Sequence, residues 1–317
     1  MSYMGCQIDF LLWLQHLRTL SGGCFDVFFS SITYFGQILI PLMVSALIFW
    51  CIDKKSGAFI ILNGAFAVMV NQLLKNIACI YRPWVLDSRI KPVQGALYAS
   101  SGYSFPSGHT SISTSCWGAI AMIWHKNKIL LSSMIILIIL VAFSRNYLEV
   151  HLPQDVIVSL ILGVLILFYG YKLLNWVDKG KNRDLWLTVL VCGFGLFVIL
   201  FSYLRSYPMD YVNGKLLVNP YSCKLESFPK CGYLIGAFLG WFLERRFVNF
   251  DEKSGSLKDK IIRYLIGGSI FTVLICFTCH YFSIFLGNHI GRFLNFFIVG
   301  LFVTYIYPLF IKKFQKL

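Results

Sequence analysis

Cationic, hydroxyl and histidine side chains recur in three short segments within the first half of the chain. The first segment holds Lys75, Arg82 and Pro83, the second holds Pro106, Ser107, Gly108 and His109, and the third holds Ser144, Arg145, His151 and Asp155. Cations grouped around two imidazoles suit a phosphate-like anion, and histidine can act on such a group as a nucleophile or as an acid. The three segments together predict a phosphate-handling site.

The spacing within each segment has a physical meaning. His151 and Asp155 are four residues apart, which on a helix places both on one face, so that the carboxylate holds one ring nitrogen and leaves the other free to attack. Ser107 and Gly108 precede an apolar run, which predicts a helix start whose free backbone amides seat an anion. Taken alone, each segment also has an ordinary explanation as snorkelling cations, a capped helix, or a span that begins with a His and an Asp.

The rest of the chain must position these segments in a membrane. Its 317 residues are 57% hydrophobic and 13% charged, with a mean hydropathy of +0.70. A soluble domain carries roughly 25% charged residues, so a soluble globular enzyme is excluded and an all-α polytopic bundle is predicted. The 28 Lys and Arg exceed the 14 Asp and Glu, but they are scattered between apolar runs, which indicates membrane topology and no nucleic-acid partner.

Apolar runs long enough to cross a bilayer recur about nine times along the chain. They lie near residues 27–52, 56–77, 106–124, 128–146, 153–173, 184–204, 229–248, 261–284 and 290–311. Of the 28 basic residues, 17 fall in connections on one side and 11 on the other. The positive-inside rule then predicts a cell-membrane protein with a cytoplasmic C-terminus and an extracytoplasmic N-terminus, and it places all three chemical segments outside.

The region before the first span, residues 8–20, predicts a short amphipathic helix. Phe10, Trp13, Leu14 and Leu17 lie on one of its faces. The segment is too short to span, so we expect it either in the outer membrane interface or as a re-entrant packing segment.

The complete pattern resembles the type 2 phosphatidate phosphatase superfamily. These are membrane-bound lipid phosphate phosphatases, related to acid phosphatases and vanadium haloperoxidases. The pattern runs Lys75, six residues, Arg82, Pro83; then Pro106, Ser107, Gly108, His109; then Ser144, Arg145, five residues, His151, three residues, Asp155. All eleven defining positions of the family are matched between residues 75 and 155.

The resemblance implies a metal-independent phosphatase, without a cofactor, that works through a phosphohistidine. It implies a catalytic set in which His151 attacks phosphorus, Asp155 orients the His151 ring, and His109 protonates the leaving group. The implied phosphate ligands are Lys75, Arg82, Ser107, Gly108 and Arg145. The expected substrate is a lipid phosphate monoester or diphosphate at the extracytoplasmic face. Two alternatives stay open: a phosphatase for a soluble sugar phosphate, since glucose-6-phosphatase has a similar nine-span layout, and a non-catalytic lipid-phosphate binder or transporter.

Outside the motifs the predictions are structural. Residues 1–175 are expected to form the phosphatase core with five spans, and residues 176–317 a C-terminal membrane extension of about four. Gly232, Gly236 and Gly240 recur every four residues, which predicts a close-packing face for another helix. Cys223 and Cys231 flank the end of a long outer loop, where a disulfide between them would require an oxidising compartment.

Overall fold

The protein is helical almost throughout. The computed structural model describes residues 3–97, 100, 102–212 and 214–314. The helices are α1 (Tyr3–Leu20), α2 (Asp26–Ile32), α3 (Leu39–Leu47), α4 (Lys54–Ala78), α5 (Pro83–Leu86), α6 (Gln94–Leu97), α7 (Gly108–Ile123), α8 (Lys128–Tyr147), α9 (Pro153–Asp178), α10 (Arg183–Leu204), α11 (Pro220–Leu243), α12 (Leu257–Cys276), α13 (Thr278–Leu286), α14 (Asn288–Leu301) and α15 (Tyr307–Phe314).

Short irregular elements complete the chain. A 3-10 turn covers Thr33–Gly36, and π-helical turns cover Ile48–Ile52, Glu244–Val248 and Phe302–Ile306. Strands β1 (Tyr211–Val212) and β2 (Lys215–Leu216) pair antiparallel as a small hairpin. The predicted all-α class is confirmed.

Fewer than nine helices of the described residues are long and apolar enough to cross a bilayer. In the described ranges, five helical stretches are long and apolar enough to cross a bilayer: Lys54–Leu86, Lys128–Tyr147, Pro153–Asp178, Arg183–Leu204 and Asn288–Phe314. Two bent pairs, Asp26–Gly36 with Leu39–Ile52 and Leu257–Cys276 with Thr278–Leu286, raise the number to seven if each counts as one span. The other two predicted spans contain α7, which has 16 residues, and α11, whose first half holds three charged side chains. The chain is a multi-pass membrane protein, but the count of nine is not confirmed.

One compact unit contains the three chemical segments. It comprises the residues up to Pro41, Val70–Ile166 and Arg205–Cys223. Within it α7 packs along α8, and α2 with the following 3-10 turn packs against α8. The division of the chain between residues 175 and 176 into core and extension stays a prediction.

Helix α7 is polar but enclosed by the unit. Its buried hydroxyls include those of Thr110, Ser111, Thr114 and Ser115. Thr114 Oγ1 donates to the Thr110 carbonyl at 2.8 Å, and Ser115 Oγ donates to the Ser111 carbonyl at 2.6 Å. A hydroxyl that bonds the carbonyl one turn back is satisfied within the helix, so Thr114 and Ser115 stay paired although they are buried.

Two glycines bring other elements close to the start of α7. A Cβ at Gly163 of α9 would lie 2.6 Å from Thr114 Cγ2, so only glycine permits this approach of α9 to α7. A Cβ at Gly36, in the 3-10 turn, would lie 2.8 Å from the backbone oxygen of His109. The first turns of α7 and α9 and the 3-10 turn are therefore held in contact.

Helix α1 begins earlier than predicted, and it has apolar residues on two sides. Ile8, Leu11 and Leu14 are buried, whereas Phe10 and Trp13 point outward with rings stacked at 6.0 Å. The predicted apolar face is thus mainly the outward one, and only its Leu14 faces the protein.

A second compact unit comprises Leu42–Met69, Leu167–Leu204 and the residues from Lys224 onward. The close-packing face predicted from Gly232, Gly236 and Gly240 is present on α11 in this unit. A Cβ at Gly232 or Gly236 would overlap the backbone oxygens of Phe293 and Phe297 on α14, and a Cβ at Gly240 would overlap the Thr304 hydroxyl. Helices α11 and α14 therefore pack backbone to backbone, as small residues allow in membranes.

The structure excludes a disulfide between Cys223 and Cys231. Neither cysteine forms a disulfide, both side chains are buried, and both lie on α11, which starts at Pro220. Eight residues of helix separate their Cα atoms by about 12 Å, and a disulfide tolerates at most about 7 Å. The predicted loop ends earlier than expected because Pro220 starts a helix whose first turns are polar.

Substitution of Gly236 by Val will lower the stability of the second unit, because the added side chain must displace the α14 backbone. We expect a loss of about 1–3 kcal/mol, seen as a lower midpoint of thermal unfolding in detergent. Gly193→Val is the matched control, since a Cβ at Gly193 of α10 meets nothing within 4 Å. Equal midpoints for the two variants would show that the α11–α14 contact is not tight.

Candidate active site

The Asp155 carboxylate organises the third segment. Its Oδ2 accepts hydrogen bonds from the backbone N–H of Leu152 at 3.0 Å, from His151 Nδ1 at 3.1 Å and from the Ser104 hydroxyl. Asp155 and His151 are both buried. A buried carboxylate with several donors on one oxygen is fixed in orientation, and it fixes the imidazole ring in turn.

The pairing of His151 with Asp155 arises differently from the prediction. Both were expected on one helix, but α9 begins at Pro153 and His151 lies in the preceding loop. Pro153 has no N–H and suits the first helical position, whereas the residue before a proline avoids the helical conformation. Asp155 therefore sits in the first turn of α9 and reaches back to the loop.

The hydrogen bonds of His151 determine its tautomer. Arg82 Nη1 lies 2.9 Å from His151 Nε2, and a guanidinium can only donate. Nε2 must then be the unprotonated acceptor, and Nδ1 carries the proton that is donated to Asp155. This is the tautomer whose Nε2 lone pair can attack an electrophile.

Burial keeps His151 neutral. Desolvation, followed by the positive charges of Arg82, Arg145 and Lys75, lowers the pKa of His151 well below its usual range. The imidazole therefore stays unprotonated through neutral and mildly acidic pH, as a nucleophile requires.

His109 is the second residue of α7, and its environment differs from that of His151. Its Nε2 is buried without a hydrogen-bond partner. The charges of Arg145, Arg82 and Lys75 all act on it, and it also acts on His151. The two imidazoles and the three cations thus lie within electrostatic reach of one another, and a ring nitrogen of His109 is left for a ligand.

Arg145 is the most deeply buried of the three cations, with 1% of its surface exposed. It lies in the last turn of α8, where Nη1 donates to the Thr33 hydroxyl at 2.6 Å and Nη2 donates to Ser100 at 3.4 Å. Its Nε has no partner. Neutral hydroxyls orient this guanidinium without neutralising it, so its charge remains available to an anion.

Arg82 is fixed by backbone carbonyls, and Lys75 lies buried in the last turn of α4. Arg82 Nη1 donates to the Val150 carbonyl at 2.8 Å, and Nε donates to the Gly102 carbonyl at 3.3 Å. Because Val150 precedes His151, the same arginine holds both the His151 loop and the His151 Nε2 atom.

The second segment starts α7 as predicted. Ser107 is the N-cap, and its Oγ accepts from the Thr110 N–H at 3.4 Å and the Thr110 hydroxyl at 2.9 Å. Its backbone N–H donates to the Asp155 carbonyl at 3.1 Å, which ties α7 to α9. Above Gly108 there is open space, since an added Cβ would meet only Asn71 Oδ1 at 3.9 Å. The start of α7 thus offers room and a helix dipole to an anion.

The chain from Arg205 to Cys223 packs on the neighbours of two site residues. Tyr81, which precedes Arg82, donates its hydroxyl hydrogen to Asp210. The rings of Tyr103, which precedes Ser104, and Tyr207 stack at 6.3 Å. This hairpin-bearing segment supports the backbone that carries Arg82 and Ser104.

The structure brings all eight predicted site residues into one unit, but sequence reasoning missed several side chains that hold them. These are Ser104, Thr33, Ser100 and Asn146, whose Nδ2 donates to the His151 carbonyl at 2.9 Å. Asn146 lies beside Arg145 in sequence, but nothing in its type marks it. In the described part of the chain, no three His, Cys, Asp or Glu side chains are arranged to hold a metal ion.

Comparison with known proteins gives two matching families and two curated relatives. Residues 57–179 match the PAP2 superfamily, and residues 228–316 match the PAP2 superfamily phosphatase, transmembrane extension. An undecaprenyl-diphosphatase of Sulfolobus acidocaldarius is 29% identical over 136 residues, which are 43% of this chain and 63% of that protein. Phosphatidylglycerophosphatase B of Bacillus subtilis is 30% identical over 151 residues, which are 44% of this chain and 70% of that protein. The chain therefore spans less than two thirds of the first relative. No solved structure matches.

Removal of the Ser104 hydroxyl will slow turnover without weakening substrate binding. In Ser104→Ala, Asp155 loses a hydrogen-bond donor, and the His151 ring loses its contact with the Ser104 hydroxyl. We expect kcat to fall about 10- to 100-fold, which corresponds to the loss of one hydrogen bond to a charged group. KM will change little. Ser113→Ala is the control, because Ser113 Oγ is buried without a partner. A wild-type kcat for Ser104→Ala would contradict this role.

Proposed function

Because the chain belongs to the PAP2 superfamily, the type 2 phosphatidate phosphatases that its motifs resemble, we propose that it is a metal-independent membrane phosphatase. It hydrolyses a lipid phosphate monoester or diphosphate through a phosphohistidine. The observation that supports this most directly is the state of His151, which is neutral, carries its proton on Nδ1 against Asp155, and has its Nε2 lone pair facing Arg82. Such an imidazole is prepared for nucleophilic attack on phosphorus.

In the proposed first step, the substrate phosphate takes the Arg82 donor away from His151 Nε2. The Nε2 lone pair attacks phosphorus, the bond from phosphorus to the leaving oxygen breaks, and His109 gives that oxygen a proton. Asp155 stabilises the imidazolium that forms on His151. The bound phosphate offsets part of the surrounding positive charge, which favours the protonated form of His109 that this step needs.

In the second step a water molecule replaces the departed alcohol or phosphate. His109, now neutral, takes a proton from water as the oxygen attacks phosphorus, and the bond from phosphorus to Nε2 breaks. Inorganic phosphate leaves, and both histidines return to their starting protonation states. General acid and base catalysis by a positioned histidine contributes about 10²–10⁴-fold.

The phosphoryl oxygens are held by fixed charges. Lys75, Arg82 and Arg145 surround the site, and the Ser107–Gly108 backbone begins a helix with its positive dipole end toward the anion. Preorganised donors in a desolvated site stabilise the charge of the transition state without reorganisation. This electrostatic set supplies what a metal ion supplies in other phosphatases.

A lipid substrate and an extracytoplasmic site complete the proposal. Both curated relatives are named for lipid phosphates, an undecaprenyl diphosphate and a phosphatidylglycerophosphate. The distribution of 17 basic residues on one side and 11 on the other favours the outer face for the site. An amphiphilic substrate can then reach the site by lateral diffusion in the outer leaflet.

A phosphate-release screen in detergent tests the substrate class. We expect release from polyprenyl diphosphate, phosphatidate or phosphatidylglycerophosphate in the presence of a chelator, and little from glucose 6-phosphate. Good hydrolysis of the sugar phosphate with none of any lipid would replace the lipid assignment with the sugar-phosphate alternative. Binding of lipid phosphates without release of phosphate would favour a binder or transporter.

Replacement of the two histidines separates their roles. His151→Ala will abolish phosphate release, because the nucleophilic nitrogen is lost, and His109→Gln will lower kcat about 10²–10⁴-fold. Only His109→Gln will accumulate acid-labile phosphate on the protein, since its nucleophile remains while water activation fails. His125→Ala is the control, because His125 is exposed at the end of α7. Undiminished release by His151→Ala would refute the assignment of the nucleophile.

A further inference from the structure

The N-terminal helix α1 is joined to the nucleophile loop by a buried ion pair. Arg18 Nη1 lies 3.0 Å from Glu149 Oε1, and Glu149 has no exposed side-chain surface. Arg18 Nη2 also donates to the Lys91 carbonyl at 2.7 Å. Glu149 precedes His151 by two residues, so this pair acts on the loop immediately before the nucleophile.

Contacts of α1 continue on the other side of His151. Gln7 Nε2 donates to Gln154 Oε1 at 3.0 Å, and the Gln154 backbone N–H donates to Gln7 Oε1 at 2.9 Å. The buried residues Leu11 and Leu14 share one apolar cluster with Leu152. Helix α1 therefore contacts the loop both before and after His151.

The loop needs such external support. Glu149 has a φ of +59°, a left-handed conformation that residues with a Cβ rarely adopt. The N–H groups of Val150 and His151 both donate to the Arg145 carbonyl, at 3.1 and 3.3 Å. A short loop with an unfavourable φ holds its shape only when its side chains are fixed elsewhere.

The outward face of α1 is apolar. Trp13 is 54% exposed, and Phe10, Leu17 and Leu20 are exposed beside it. The loop that α1 contacts joins α8 and α9, both long and apolar enough to cross a bilayer, so α1 lies beside the ends of two candidate membrane spans. An aromatic and aliphatic face at that position matches the lipid headgroup and acyl boundary.

We propose that α1 is a positioning helix that rests on the lipid interface and orients His151, with Arg18 and Glu149 as its positioning pair. The proposal rests on the phosphatase function above. It makes turnover depend on a helix that contributes no group to the reaction.

The charge of Glu149 provides a readout that a merely structural contact would not move. Burial raises the pKa of Glu149 to about 7, the nearby charge of Asp26 adds to this, and the Arg18 charge and the Lys91 backbone N–H oppose it. The ion pair is then about half formed near pH 7, nearly complete well above it, and lost as Glu149 gains its proton at lower pH. The pKa of His151 is well below its usual range, and protonation of His109 at lower pH would speed the proposed first step, so a fall of kcat as the pH drops from 8 to 6 reports Glu149.

The kinetic test compares Arg18→Gln and Glu149→Gln with wild type on the lipid substrate. We expect kcat to fall about 10- to 100-fold with KM nearly unchanged, as for a small misplacement of the nucleophile. In Glu149→Gln, kcat will be low and flat between pH 8 and 6. Arg18→Lys will restore most of kcat, because its charge still pairs with Glu149. Arg89→Gln, which breaks an exposed ion pair with Asp87, is the matched control and will behave as wild type.

Affinity for orthovanadate, which mimics the five-coordinate transition state by bonding to the attacking nitrogen, separates the two proposals because it needs no turnover. Weaker vanadate binding by folded Arg18→Gln supports the positioning role even if no tested lipid is hydrolysed. Wild-type kcat, pH profile and vanadate affinity in both variants would overturn that role while leaving the phosphatase function intact. Thermal unfolding of Arg18→Lys beside Arg18→Gln shows whether a loss of kcat is a loss of fold.

The lipid contact of α1 is tested by fluorescence in nanodiscs. The chain has 8 Trp residues, so the signal of Trp13 is taken as the difference between wild type and Trp13→Phe. We expect lipids brominated near the headgroup end of the acyl chain to quench this difference signal, and aqueous iodide to have little effect. Quenching by iodide alone would overturn the lipid contact.

Discussion

Repulsion among three buried cations is the constraint on which this structure depends. Lys75, Arg82 and Arg145 are withdrawn from water near two imidazoles, and the Asp155 carboxylate offsets only part of their charge. Neutral carbonyls and hydroxyls fix the two guanidiniums without cancelling their charge. Like charges gathered in a poorly solvated site raise the free energy of the empty protein, and a bound anion relieves that cost. The packing of this unit therefore favours binding of an anion between the three cations.

The membrane setting makes this arrangement possible. Helix α7 buries the Thr114 and Ser115 hydroxyls by bonding them to its own carbonyls, which lowers the cost of enclosing a polar helix among apolar neighbours. Gly163 and Gly36 then allow α9 and the 3-10 turn to approach it closely enough for Asp155 and His109 to share one site. A low dielectric constant around the site strengthens the attraction between each cation and an anion, so few residues suffice to attract one.

The eleven motif positions predicted the family, which is confirmed, and the close pairing of His151 with Asp155. The prediction placed both residues on one helix, but His151 lies in the loop before α9 and Asp155 lies in the first turn of α9. A turn at the start of a helix also brings residues four apart into contact. Ser104 and Thr33 were not predictable, since their partners lie 51 and 112 positions away and no local pattern encodes such bonds. The inward face of α1 was ambiguous because both of its sides are apolar. The span was predicted to begin at residue 229, whereas α11 begins at Pro220, because the first turns of α11 are polar and hydropathy does not indicate them.

The contact of Arg82 with His151 Nε2 gives the empty protein an inbuilt selectivity. In the empty protein this guanidinium occupies the Nε2 lone pair, and in the proposed mechanism a stronger acceptor draws it aside. A doubly charged oxyanion can compete for it, whereas a neutral ester or a stray alkylating compound finds the nitrogen shielded. In the proposed mechanism, Arg82 therefore releases the nitrogen only to a charged substrate and protects His151 from adventitious modification in the empty protein.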